Sequence, residues 1–126
     1  MGKFTFPRQA RIVRKRDFEG LRRRGRPMVV FPLRLRVLRK DEGESRLGLA
    51  VGRKVGGAVV RNRWKRAIRE AFRLHRHRLK EPYDMVVSVC REARPDRPEG
   101  VERAFLEAIR ELNGADENTA ETNSTD

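Results

Sequence analysis

Only one cysteine, Cys90, occurs among the 126 residues, so no disulfide can close within the chain. That suits a reducing compartment. Long apolar runs are missing as well. The longest, Met28 to Phe31, is far too short to span a bilayer. Met1 to Gln9 is basic and aromatic, with no apolar stretch of secretory-signal length after it. A myristoylation signal needs Ser or Thr at position 6, which is Phe6 here. A soluble, cytoplasmic protein is expected. Histidine is confined to His75 and His77. Two apart on a helix, they point about 200° from each other and cannot share a metal. Acids are few, 18 against 31 Lys+Arg, and most sit near bases. No paired carboxylates suggest metal-dependent or acid–base nuclease chemistry in the chain itself.

What is present is positive charge. The formal net charge is +13, and residues 114–126 (GADENTAETNSTD) hold four acids and no base. The remaining 113 residues are therefore more basic still. Such charge repels itself and destabilises the compact state. A polyanion relieves the repulsion and gains free energy by counterion release. Nucleic acid fits best. A membrane-surface helix would need a free apolar face, but the one here is required to cover a sheet. No groove-entry unit of a DNA reader is recognisable.

The length suggests one domain, over 1–113, with a flexible basic arm at 1–10 and a disordered acidic tail at 114–126. Asp17 reads as the N-cap of a short helix, DFEGLRRRG, closed by Gly25 in a left-handed cap. Leu33, Leu35 and Val37 alternate with Arg34 and Arg36, the period of a strand. Pro32 implies an edge, a bulge or a break into two strands. Leu47, Leu49 and Val51 alternate with Gly48, Ala50 and Gly52, so one face of that strand is apolar and the other small. Small residues suggest that a backbone or a ligand comes close. A helix is expected over roughly 58–80, stopped before Pro82. YDMVVSVC (83–90) reads as a central strand. A last helix starts near Asp96 and Pro98, buries Val101, Phe105, Ala108, Ile109 and Leu112, and ends at Gly114. The order describes an α+β sandwich with one sheet. Its core is thin, so bound RNA or anions are expected to support it.

The long helix carries the chemistry. Val60, Trp64, Ala67, Ile68, Ala71 and His75 fall on one side at 100° per residue. Lys65, Arg66, Arg69, Arg73, Arg76 and Lys80 fall opposite, and 60–80 holds nine Lys/Arg against one acid, Glu70. A solvated helix normally mixes signs, because like charges at i,i+4 repel. A stripe of one sign over a buried face suits a polyphosphate partner better than a merely soluble surface. Arg61-Asn62-Arg63 opens the helix, with Arg53-Lys54 just before the Gly-Gly link. Arg grips phosphate oxygens through its planar fork, and the positive helix end adds to this. Trp64 and Cys90 are expected in the core.

The stretch GLAVGRKVGGAVVRNRWKRAIREAFR, with Asp17-Phe18 and Gly25 upstream, resembles the bacterial ribonuclease P protein family over about residues 10–112. The resemblance implies an α-β-β-β-α-β-α fold with a left-handed βαβ crossover (ribosomal protein S5 domain 2-like). It implies a partnership with a catalytic RNA that removes the 5′ leader of precursor tRNA. The protein alone would be inactive, Mg²⁺ would be held mainly by the RNA and the substrate, and no obligate protein partner would be needed. Arg53, Lys54, Arg61, Asn62, Arg63, Lys65, Arg66, Arg69 and Arg73 would contact the catalytic RNA. A cleft between the first helix and the sheet would bind the leader through Phe18, Arg22 and Arg34. Further aromatics of the family's cleft are replaced here by Arg22 and by Arg34 or Leu35, so this cleft would lean more on charge. The alternative function is a general RNA-binding protein, of the ribosomal-protein or RNA-chaperone type.

Overall fold

Alternation of apolar and basic residues yields a four-stranded sheet. In a computed structural model, residues 10–12, 14–91, 93 and 98–125 are described, with 115–125 as backbone only. The chain runs α1 (Lys15–Arg24), β1 (Arg26–Val30), β2 (Leu33–Arg39), β3 (Arg46–Leu49), α2 (Ala58–His75), β4 (Tyr83–Val89) and α3 (Val101–Thr125). The expected α-β-β-β-α-β-α order is borne out, and Pro32 separates two strands. The sheet order is β1-β2-β4-β3, so β4 is central as expected. β1–β2 and β2–β4 pair antiparallel, whereas β3 and β4 are parallel and joined through α2.

The sheet has two unequal faces. Leu33, Leu35, Val37, Leu47, Met85 and Val87 point to one side and are buried with Trp64, Ile68 and Phe72 of α2 and Val101, Phe105 and Leu112 of α3. Phe72 meets Phe105 edge-on, with ring centroids 6.0 Å apart. Trp64 and Cys90 are buried, as expected. Among the described residues the other face receives α1, whose Leu21 is buried, with Ile12 beside it over Gly48.

Several element ends differ from expectation, each for a local reason. α1 starts two residues before Asp17, because the Arg14 carbonyl accepts the N–H groups of Asp17 (3.1 Å) and Phe18 (3.3 Å). Asp17 therefore lies in the first turn, not at the cap. Gly25 is not left-handed (φ −75°, ψ 152°) and leads straight into β1. A Cβ there would lie 2.4 Å from the Leu21 carbonyl oxygen, so close approach, not handedness, requires glycine. Ala10 is fully buried and Arg11 bridges to Leu47, so the chain is docked by residue 10; residues 1–9 of the expected arm lie outside the described residues.

α2 ends at His75 and tightens into a 3₁₀ turn over Arg76–Arg78, earlier than expected. The Asn113 side chain holds the exit, donating to the Arg78 carbonyl and accepting from the Lys80 N–H, both at 2.9 Å. Lys80 is thus not part of the helical stripe. Asp96 lies outside the described residues, and α3 begins at Val101. Its helical backbone continues through Gly114 to Thr125, past the stop expected at Gly114. A mid-helix glycine costs only about 1 kcal/mol relative to alanine, and the Ala and Glu that follow favour helix.

Phe105→Ala should lower folding stability by about 3–5 kcal/mol, since Phe105 is fully buried. Urea unfolding of the RNA-free protein measures this, and a loss under 1 kcal/mol would contradict the packing described.

Candidate nucleic-acid interface

Two basic surfaces emerge. The first is α2 and the link before it. The apolar stripe points into the core, which turns Asn62, Arg63, Arg66 and Arg69 outward, all exposed. Lys65 and Arg61 are half-buried. Arg61 donates through Nε to the Gly56 carbonyl at 3.1 Å, tying the helix start to its own link. Arg53 and Lys54 lie exposed in the turn before that link. Arg73 donates to Glu70 one turn back at 2.5 Å. That hydrogen bond raises the Arg73 pKa and lowers that of Glu70. Arg76 is not part of the outward stripe. It lies over the Phe72 ring at 5.8 Å and pairs with Glu44 at 3.4 Å. His75 bonds to Glu102 of α3 at 2.7 Å.

The second surface is a groove of about 270 Å³ between α1 and the open face of the sheet. Phe18, Arg22 and Arg34, the residues expected to form a cleft, all line it, together with Leu21, Val29, Arg36, Ala50 and Ser88. The small residues of β3 explain its depth. A Cβ on Gly48 would lie 2.9 Å from Phe18 Cε1 and 3.3 Å from Ile12 Cβ, so the Phe18 ring rests on bare backbone. Of the two β2 positions considered for a lost aromatic, Arg34 is exposed and Leu35 is core. Arg36, not foreseen, also lines the groove and donates to the Gly25 carbonyl at 3.2 Å.

A further cluster was missed in the sequence. Arg46 of β3 makes two hydrogen bonds to Asp84 of β4, Nε at 2.9 Å and Nη2 at 2.6 Å, and reaches Asp17 of α1 at 3.5 Å. Lys40 pairs with Asp84 at 3.3 Å. The Arg46 pKa is raised, first by the hydrogen bond with Asp84, against its partial burial and with help from the charges of Asp84 and Asp17. Register explains the meeting, since Arg46 and Asp84 are direct partners across the parallel pair. The only available signal was Asp84 inside an otherwise apolar strand. These carboxylates face two cations and do not suit Mg²⁺. Among the described residues no three His, Cys, Asp or Glu side chains converge as a metal site.

Fold and surfaces together define a small α+β protein that offers a polyanion a basic helix on one side and a basic groove on the other. Comparison with known proteins is specific. The Ribonuclease P family model matches residues 6–113. The ribonuclease P protein component of Dictyoglomus thermophilum is 44% identical over 89 residues, 71% of this chain and 74% of that protein. Its counterpart in Desulfatibacillum aliphaticivorans is 40% identical over 100 residues, 75% of this chain and 84% of that protein. The solved structure of the Staphylococcus aureus RNase P protein superposes with a TM-score of 0.70 at 28% identity, covering 82% of this chain and 94% of that one. The Thermotoga maritima RNase P protein gives 0.58 at 27%, covering 83% and 93%. The chain belongs to the ribonuclease P protein family, as the accessory protein subunit of that tRNA-processing endoribonuclease. The general RNA-binding alternative is not favoured.

Gly48→Ala should push the Phe18 ring off β3 and cost about 1–3 kcal/mol by overpacking. Urea unfolding and the aromatic NMR contacts of Phe18 with Ile12 report both effects. An unchanged ring position would refute the contact.

Proposed function

We propose that α2 holds the catalytic RNA and that the α1–sheet groove holds the 5′ leader of precursor tRNA as a single strand. The observation that carries this reading is the convergence of Phe18, Arg22 and Arg34 on one groove. A single-stranded leader offers two chemistries, flat base faces and phosphates. Phe18 supplies a ring for a base, a contact worth about 1–3 kcal/mol and tolerant of sequence. Arg22 and Arg34 supply exposed guanidinium groups for phosphates. Leader binding adds affinity that mature tRNA cannot gain, so it favours precursor over product.

The catalytic RNA would be gripped by Asn62, Arg63, Arg66 and Arg69, with Arg53 and Lys54 from the link and Lys65, Arg61 and Arg73 at the margins. Arg73 would exchange or share its Glu70 partner, and Arg61 would keep one N–H on Gly56. Mg²⁺ belongs with the phosphates of RNA and substrate, since the ion retains its waters and the paired carboxylates Asp17 and Asp84 already face Arg46 and Lys40. No helix among the described residues is long and apolar enough to cross a membrane.

Replacing Arg66, Arg69 and Arg73 together by Ala should weaken binding to the RNA subunit and flatten its salt dependence by about one unit of slope per lost phosphate contact. Wild-type affinity and slope in the triple variant would rule out the stripe. Phe18→Leu keeps apolar volume but removes the flat ring. In the holoenzyme, with RNA subunit and Mg²⁺, it should reduce affinity for precursor tRNA by about fivefold or more and leave affinity for mature tRNA unchanged. Equal losses for both would show Phe18 to be a core anchor only.

A further inference from the structure

Phe31, in the turn between β1 and β2, is 58% exposed, and Val29 two residues earlier is 64% exposed. Single apolar residues on a surface are ordinary. A phenylalanine in a tight hairpin turn is less so, because turn geometry selects Gly, Asn, Asp, Ser and Pro. Phe31 is not part of the buried core, so its surroundings give it meaning.

The turn lies beside the end of β4. Leu33 pairs with Val89, and the Cys90 N–H donates to the Pro32 carbonyl at 2.9 Å. Exposed Arg34 and Arg91 stand at this end, with Lys54 from the link before α2. These three line a second cavity of about 350 Å³, which shares Arg34 and Ser88 with the α1 groove. Val29 lines the groove itself. A continuous path therefore runs from Phe18 along the open sheet face to the strand ends, with cations beside it. Phe18 rests on Gly48, whose partner is Val86. Cys90 is four strand residues further, about 13 Å at the usual rise. Phe31 thus stands beyond the reach of a base already stacked on Phe18.

We propose that Phe31 is a second stacking platform for the single-stranded leader, taking a base further along than the one on Phe18. Arg34 and Arg91 hold the phosphates between the two rings. Stacking suits a partner of variable sequence, because every base has a flat face. This rests on the reading that the groove holds the leader, and it makes leader length a determinant of affinity.

The test uses the holoenzyme with precursor tRNAs whose leaders grow one nucleotide at a time. Phe31→Leu should bind short-leader precursors as wild type does, and lose about fivefold once the leader is long enough to reach the turn. Phe31→Trp should restore the affinity. Phe18→Leu should lose affinity already with short leaders. If Phe31→Leu matches wild type at every length while Phe18→Leu is impaired, Phe31 is no platform and the groove reading survives. If neither variant has an effect, both readings fall. A loss shared equally by mature tRNA, or a change only in self-association by sedimentation velocity, would assign the patch to tRNA body or to a second copy and overturn the proposal.

Discussion

Arg46 joins three elements that the chain visits far apart. It makes two hydrogen bonds to Asp84 on β4 and reaches Asp17 in the first turn of α1. Asp84 is 8% exposed and meets Lys40 as well. A partly buried carboxylate needs such partners, because desolvation without them costs several kcal/mol. The consequence is geometric. With Asp17 held, the next residue, Phe18, is set above Gly48, where only a residue without a side chain leaves room. The groove, its depth and the direction of Arg22 all follow from that placement of α1.

The sheet's other constraint is the supply of helices. α2 and α3 take one face, and α1 alone is too short to cover the second. Leaving that face partly open exposes Val29, Arg34 and Ala50, a poor arrangement for stability and a good one for a strand of RNA. Charge works in the same direction. On α2 the outward side chains are basic, and one acid, Glu70, compensates only Arg73. Self-repulsion of this kind is relieved by phosphates, so affinity and stability draw on the same partner. The two surfaces meet near Lys54, which precedes α2 and also lines the path beyond the groove. Under the proposed reading, RNA subunit and leader would be held by neighbouring residues, with Lys54 at the boundary between them.

Most elements were legible because their periodicity was clear. Leu33-Arg34-Leu35-Arg36-Val37 could only be a half-buried strand, and the stripe from Trp64 to Ala71 could only be a helix against a core. The small face Gly48-Ala50 announced a close neighbour, which is Phe18 and the groove. Helix ends were less legible. Asp17 has the chemistry of a cap, yet the Arg14 carbonyl closes the first turn and Asp17 serves an ion pair. Gly25 suggested a left-handed turn, but the nearness of the Leu21 carbonyl is what demands glycine. Arg76 and Lys80 matched the basic stripe in spacing. One is drawn onto Phe72 and Glu44, the other released when Asn113 of α3 holds the end of the helix.

By itself the sequence determined the layer order, the basic character of the surface and the block around Arg61-Asn62-Arg63, because all three are local or cumulative properties. Composition sets charge, and the period of apolar residues sets which side of each element is buried. Tertiary structure decided what meets across the chain. Arg46 and Asp84 are separated by a helix in sequence and become partners only through strand register. Phe18 and Gly48 are brought together by docking of α1, and the Phe31–Pro32 turn meets Cys90 at the end of β4 only because β2 lies against β4. Long-range pairing depends on relative orientation and register, which no single stretch of residues encodes, so the groove and the path leading out of it appear only in three dimensions.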